Sequence, residues 1–282
     1  MIKIGDYNRL KIARKSDFGL FLQTQELVQD FGQDILLPKR FVTPEMEVGS
    51  EIEVFISYDS EDRLVATLEK PFAKIGEFAV LEVHSVNQIG AFLSWGLSKD
   101  LFLPYSEFLW DVKSGEKVVV YIYLDKTQRI AATMRVEKRL KKVVEKEEYK
   151  INQMVDLILI DRTQLGYKAI VNQKHLGMLY TNQVFQKLTY GQKFSGYIGK
   201  IRDDGKLDLL MQSMGHHGAD DIGPKILELL KNNNGFYPLT DKTEPDEIYR
   251  LFGVSKKKFK IALGQLYKNR QIKIEDNGIK IV

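Results

Sequence analysis

Polar and apolar positions alternate along most of the first 210 residues, and the period changes near the end of the chain. In the stretch KVVVYIYL, Val118, Val120, Ile122 and Leu124 point one way while Val119, Tyr121 and Tyr123 point the other. That is the two-residue period of a half-buried strand. The pattern comes in blocks that recur three times. A glycine-marked strand appears as FGLFLQ at 18–23, IGAFLS at 89–94 and LGYKAI at 165–170. A short apolar strand follows as DILLP at 34–38, DLFLP at 100–104 and LGMLY at 176–180. A strand, turn and strand close each block at 48–68, 114–134 and 190–211. Gly19 lies 71 residues before Gly90, which lies 76 before Gly166. Three blocks kept in one order at nearly one spacing indicate divergent repetition of a single small domain.

Each repeat holds about five strands, and its turns carry turn chemistry: Asp59-Ser60-Glu61-Asp62, Asp125-Lys126-Thr127-Gln128 and Asp203-Asp204-Gly205. Five strands in about 70 residues suit a small closed barrel of the OB type, in which closure removes exposed edges. An aromatic stands six residues after the glycine near the start of each closing strand-turn-strand block (Gly49, Gly115 and Gly191): Phe55, Tyr121 and Tyr197. Alternation turns it outward, where base binding and packing between domains are both open readings.

After residue 220 the period becomes helical. Ile222–Lys231 reads as an amphipathic helix with Ile226, Leu229 and Leu230 inward. A second helix is expected near Pro245–Phe252, with Pro245 in its first turn. Gly253 breaks the chain, and Ser255 caps a third helix whose buried stripe is Phe259, Ala262, Leu263 and Leu266. The ending QIKIEDNGIKIV reads as a hairpin turning at Asn277-Gly278. Three helices and a hairpin make a winged helix. The expected fold is mainly β with an α+β C-terminal domain. Its parts are OB barrels at 1–71, 72–136 and, divergent, 151–213, a charged helical linker at 137–150, and the winged helix at 221–282. The linker helix would bury Leu140, Val143 and Val144 on its apolar side.

Composition narrows the function. There is no cysteine, which excludes disulfides and thiolate metal sites. No signal-peptide-like apolar segment and no 18-residue apolar run occur, so a cytoplasmic protein without a membrane partner is expected. The net charge of +4 is unevenly placed. Residues 221–282 hold 12 Lys+Arg against 8 Asp+Glu, while residues 1–220 are balanced at 30 each. The positive excess therefore belongs to the winged helix, where Lys256, Lys257, Lys258, Lys260, Lys268 and Arg270 surround the third helix. Basic residues at a helix start oppose the helix dipole, which points to a polyanion partner. His216 and His217 are adjacent without companion ligands, and His84 and His175 are isolated, so no metal site is expected. No phosphate-binding glycine loop, nucleophile elbow or Ser/His/Asp set is present. The expectation is a protein with no catalytic residues, no cofactor and no enzyme activity.

The pattern F-G-x-F, an apolar strand, then G-x-x-V-x-V-x-V…D-x-x-x-R resembles the RNA-binding domain of ribosomal protein S-one. Three such repeats followed by a winged helix resemble the conserved virulence factor B family of bacterial RNA-binding regulators. The resemblance implies that RNA crosses the second and third strands of a barrel. It would meet two strand-two aromatics, a strand-three histidine and a basic residue near strand five. Carried over by position, these are Phe18, Phe21 and Arg63 in the first repeat and Phe92 and Arg129 in the second. The third repeat offers Tyr167, Lys168 and Lys206. The histidine position reads Pro38, Pro104 and Tyr180, so no repeat keeps it. Bringing Phe18 and Phe21 to one face calls for a bulge at the intervening Gly19. Trp95 and Tyr105 are equally open to core and surface roles. The implied partner is single-stranded RNA, with duplex nucleic acid at the winged helix as a second class. A DNA-binding transcription regulator and a ribosome-associated interaction factor are the rival readings. The oligomeric state is not legible.

Overall fold

The computed structural model describes residues 2–23, 34–145, 147–184, 187–213 and 219–282, the side chains of 219–221 excepted. The chain divides into two compact units, Met1–Arg139 and Leu140–Val282. The first unit contains two barrels, and the second contains a third barrel and the winged helix.

Barrel one is built from β1 (Tyr7–Ser16), β2 (Gly19–Gln23), β3 (Ile35–Pro38), β4 (Glu51–Tyr58) and β5 (Leu64–Thr67). Barrel two uses β6 (Phe78–Val86), β7 (Gly90–Ser94), β8 (Leu101–Pro104), β9 (Lys117–Leu124) and β10 (Ile130–Thr133). Barrel three uses β11 (Met154–Arg162), β12 (Gly166–Val171), β13 (His175–Tyr180), β14 (Lys193–Ile201) and β15 (Leu207–Leu210). All three close in one order, first-second-third-fifth-fourth and back to the first. The third and fifth strands pair in parallel, and the other neighbours pair antiparallel. The expected triplet of five-stranded barrels is therefore what the chain forms, the divergent third included.

Alternation explains the interiors. On β2, Leu20 and Leu22 are buried and Phe21 is outward; on β7, Ala91 and Leu93 are buried and Phe92 is outward. The repeated glycine has a packing reason. Gly19, Gly90 and Gly166 have φ of +145°, +157° and +155°, and a Cβ there would overlap the carbonyl oxygens of Leu37, Leu103 and Leu179. Only glycine lets the second strand approach the third so closely.

Two expectations need correction. The bulge lies on the first strand of each barrel, not at the glycine of the second. Register slips between Ile12 and Arg14, between Val83 and Ser85, and between Leu159 and Asp161. The linker is not a helix. Val136–Lys138 makes one 3₁₀ turn, and no helix follows among the described residues of 139–150. The backbone there finds partners in barrel three instead. Lys141 N–H donates to Lys174 O, Leu176 N–H donates to Lys141 O, and Val144 N–H donates to Gly205 O. Leu140 is buried, Val144 packs on the core of barrel three, and Val143 is exposed.

The winged helix holds α1 (Ala219–Asn232), β16 (Phe236–Tyr237), α2 (Pro245–Phe252), α3 (Lys256–Lys268), β17 (Ile272–Glu275) and β18 (Gly278–Ile281). Its core contains Ile226 and Leu230 of α1, Ile248 and Phe252 of α2, and the expected stripe of α3; Leu229 is half-buried beside it. Ser255 Oγ accepts from Lys258 N–H at the start of α3, and Gly253 ends α2 in the left-handed conformation. The terminal hairpin turns one residue earlier than expected. Glu275 pairs with Gly278, so Asp276 and Asn277 form the turn. Gly278 instead opens β18, where a Cβ would overlap Tyr237 O on the added strand β16.

Candidate nucleic-acid interface

The second-strand faces carry the aromatics that the sequence nominates, in three different settings. Phe21 is outward on β2, and the Arg14 guanidinium lies 3.7 Å over its ring. Phe92 is outward on β7, and its ring centroid is 5.5 Å from that of Phe102 on β8. In barrel three the matching outward residue is Lys168, whose Nζ lies 3.6 Å from Asp161. Tyr167 goes the other way. As the residue directly after the glycine it takes the inward position, packing on the core of barrel three with Arg162 5.7 Å from its ring centre.

Phe18 sits in the turn between β1 and β2, 75% exposed. Ile89 and Leu165 hold the same place in the other barrels, 63% and 67% exposed. Their shared position has a backbone cause. The carbonyl of each accepts from the first residue after the third strand: Lys39 N–H, Tyr105 N–H and Thr181 N–H. Three apolar side chains are thus held out in solvent at the rim of a face that carries an aromatic in the first two barrels. Isolated exposed apolar residues need no explanation, but here the same rim position is apolar and exposed in all three barrels.

The basic residues near the fifth strands are all engaged with carboxylates. Arg63 Nη2 lies 2.7 Å from Asp59 and Nη1 lies 2.8 Å from Glu61, within its own turn. Lys206 pairs with Asp204 at 2.7 Å. Arg129 reaches from barrel two to Asp62 of barrel one, 2.9 Å away. These cations are well exposed, and exposed pairs contribute at most about 1 kcal/mol, so a phosphate can replace the carboxylate at small cost. The same pairs hold the Asp59 and Asp204 carboxyls below the usual range: backbone N–H groups and Arg63 outweigh burial at Asp59, and Lys206 acts at Asp204. Tyr180 is half-buried, with Arg202 5.7 Å over its ring and its hydroxyl donating to Asp208 at 3.4 Å.

The residues with open assignments separate. Trp95 is buried in the core of barrel two, its Nε1 donating to Lys99 O at 2.7 Å. Tyr105 is exposed, stacks on Phe108 at 4.9 Å, and donates to Asp111. Of the outward aromatics of the fourth strands, Phe55 is fully buried against barrel two, edge-on to Trp95 at 6.0 Å. Tyr121 lies 4.9 Å from Phe78 with Arg139 over its ring, and Tyr197 is half-buried. At Phe55, packing between barrels is therefore the role.

His175 is not isolated. It is fully buried, its Nδ1 is 3.1 Å from the Tyr149 hydroxyl, and its Nε2 is 3.2 Å from Glu148 without the alignment of a hydrogen bond. His84 meets Asp100 at 2.6 Å. His216 and His217 lie outside the described residues. Among those described, no three His, Cys, Asp or Glu side chains gather as metal ligands, and no helix is long and apolar enough to cross a membrane. On α3, Lys257, Lys260 and Lys268 are exposed on the outer face, with Lys260 3.4 Å from Asp241. Lys256 and Lys258 are half-buried at its start, and Arg270 is exposed beyond its end.

Sequence reasoning missed Phe102, Tyr58, Lys99 and Asp62, which gather beside Phe92 at the junction of the first two barrels. A signal for Phe102 existed, since alternation in DLFLP buries Leu101 and Leu103 and leaves Phe102 outward. The other three come from segments whose proximity only the tertiary fold creates.

Comparison with known proteins agrees with this architecture. The S1 domain family matches residues 4–69 and 75–135, which are barrels one and two, and the CvfB-like winged helix domain matches residues 224–281. The Bacillus subtilis protein YitL is 28% identical over 97% of this chain and 92% of its own length. Conserved virulence factor B of Staphylococcus saprophyticus is 24% identical over 93% and 91%, and that of Staphylococcus aureus strain MRSA252 is 26% identical over 84% and 81%. A Streptococcus pneumoniae crystal structure, described as a multidomain protein with nucleic acid binding domains, aligns over 99% of this chain and 98% of that one, with 24% identity and a TM-score of 0.44. The chain thus carries two S1 domains, at 4–69 and 75–135, and a CvfB-like winged helix domain at 224–281, and it is similar over 84–93% of its length to these conserved virulence factor B proteins.

Proposed function

We propose that this protein is a cytoplasmic, non-catalytic regulator that binds single-stranded RNA across the outward faces of its barrels. S1 and winged-helix domains are nucleic-acid-binding modules, and the observation that favours a single strand is the aromatic pair Phe21 and Phe92. Both stand outward at the same position of successive barrels, each within reach of exposed cations. A half-buried ring on an outward strand face suits an unpaired base, which at Phe21 would take the place of the Arg14 guanidinium, and such stacking contributes about 1–3 kcal/mol per base. A duplex keeps its bases stacked on one another and has no use for such rings. Phe18 extends the first face, and Arg63, Arg129, Lys168 and Lys206 supply charge along the strand. The basic outer face of α3 adds a further polyanion contact. Linking several weak sites raises the effective concentration of each for one strand, so the chain binds more tightly than any single barrel. The test is fluorescence anisotropy of a labelled short RNA with the intact chain and a Phe18→Ala/Phe21→Ala/Phe92→Ala variant. A loss of tenfold or more is expected; unchanged binding sinks the stacking reading, and tighter binding of an equal length of duplex DNA favours a transcriptional role through the winged helix.

A further inference from the structure

Barrels one and two enclose a cleft of about 420 Å³ inside the first compact unit. That lies within the roughly 300–1,000 Å³ typical of small-ligand sites. Its apolar lining includes Phe92 and Phe102, whose rings are 5.5 Å apart and tilted by 43°. Barrel one contributes Tyr58 and Asp62. The site is therefore incomplete without the neighbouring barrel.

The charges of this cleft are unlike those of a phosphate pocket. Its basic groups are Lys99 and Arg129, and both are held by the turn of barrel one. Lys99 Nζ donates to Asp59 O at 2.6 Å and lies 3.5 Å from Asp62, and Arg129 lies 2.9 Å from the same carboxylate. Three carboxylates line it: Asp62, Asp100 and Asp125. The described hydrogen bonds of Asp125 all fall on Oδ1, and that of Asp100 on Oδ2. An ionised carboxylate only accepts hydrogen bonds. A lining with one more carboxylate than cation repels a phosphate, while its aromatic surface welcomes a flat neutral ring whose edge carries N–H donors.

We infer that this cleft is a nucleobase site shared by the two barrels, which takes one unstacked base of a single strand and prefers bases with an exocyclic amino group to uracil. The inference rests on the single-strand reading above and adds to it a second barrel, new side chains and a base preference. Adenine, cytosine and guanine each present an amino donor to the carboxylates, as cytosine does to Asp or Glu in groove readout. Uracil has no amino group and offers only its N3–H, flanked by two carbonyl oxygens that the same carboxylates repel. A site built to bond an amino donor disfavours the analogue that carries a carbonyl oxygen in its place, because its own acceptors are then left unpaired and facing another acceptor. Lys99 and Arg129 meet the flanking phosphates at the rim, exchanging Asp62 for the strand.

Trp95 lines the cleft and Trp110 does not, and they are the only two tryptophans. Full-length Trp110→Phe protein therefore reports on the cleft through Trp95 fluorescence. It is titrated with oligouridylates that carry a single central uridine, adenosine, cytidine or guanosine. The three amino-bearing strands should bind about tenfold more tightly than all-uridine RNA and quench Trp95 more deeply. Asp62→Asn/Asp100→Asn should narrow that preference to about twofold, and Phe102→Ala should remove the quenching. Thermal unfolding shows that each variant is folded. Equal binding of all four strands, still sensitive to Phe18→Ala/Phe21→Ala, overturns the shared base site and leaves the stacking function standing. Binding of none of them overturns both.

Discussion

Gly90 and Gly264 show how far the effect of one methyl group depends on its surroundings. At Gly90, φ is +157° and a Cβ would overlap Leu103 O, so Gly90→Ala must strain the backbone and push β7 off β8. A cost of about 2–3 kcal/mol is expected, read as a lower midpoint in urea denaturation. At Gly264, in the middle of α3 and exposed, an added Cβ meets nothing within 4 Å. Gly264→Ala should stabilise the winged helix by about 0.5–1 kcal/mol in the same measurement. His175 gives a prediction in pH. Burial pushes its imidazole below the ordinary value of 6.5, with nearby Glu148 opposing more weakly. Below that pH the unfolded chain binds more protons at this position than the folded one. Its contribution to stability is therefore complete above 6.5 and is lost as pH falls through the depressed folded value. Wild-type urea midpoints should fall between about pH 7 and 5.5, and those of a His175→Asn variant should fall less. Equal slopes would mean that His175 takes up its proton alike in the folded and unfolded states.

Strands and linkers differ in how much of their structure can be read locally. Alternation and the glycine register fixed the five strands of each barrel, because both are imposed by contacts between strand neighbours. The first-strand bulges escaped notice because an extra residue merely shifts the alternation by one, as at Ala13, His84 and Ile160. The linker misled for the opposite reason. EKRLKKVVEKEE is rich in helix formers, but tertiary bonds from Lys141 and Val144 to barrel three take the backbone groups that a helix would need. Likewise the partner of Arg129, Asp62, lies far away in sequence, and the cleft it helps to line could not be read from either repeat alone. Phe55 is the element-scale test of that junction. It leaves β4 of barrel one and is buried with Trp95 in the core cluster of barrel two. Phe55→Ala should cost about 3–5 kcal/mol and split the coupled unfolding of the two barrels into separate transitions, seen by comparing Trp95 fluorescence with circular dichroism. A single transition at the wild-type midpoint would show that the barrels are joined by their ion pairs and backbone bonds instead.

Across the whole molecule, the ring surfaces and the charge lie in different places. The outward aromatics Phe18, Phe21, Phe92 and Phe102 belong to the first unit, while the positive excess belongs to the winged helix in the second. A strand that engages both would gain stacking from one and counterion release from the other, and salt separates these contributions. For single strands, the slope of log affinity against log salt is about −0.7 for each phosphate neutralised. Lys257 and Lys268 are exposed on the outer face of α3, so neutralising both tests whether that face meets RNA without disturbing its buried stripe. If each lysine meets a phosphate, Lys257→Gln/Lys268→Gln should flatten the slope by about 1.4. The triple phenylalanine variant should weaken binding at every salt concentration with little change in slope, because stacking releases few ions. The double lysine variant should lose its defect at high salt, whereas the phenylalanine variant should keep most of its own. Should the lysine variant keep the wild-type slope, the winged helix would serve assembly rather than RNA contact, and the barrels alone would hold the strand.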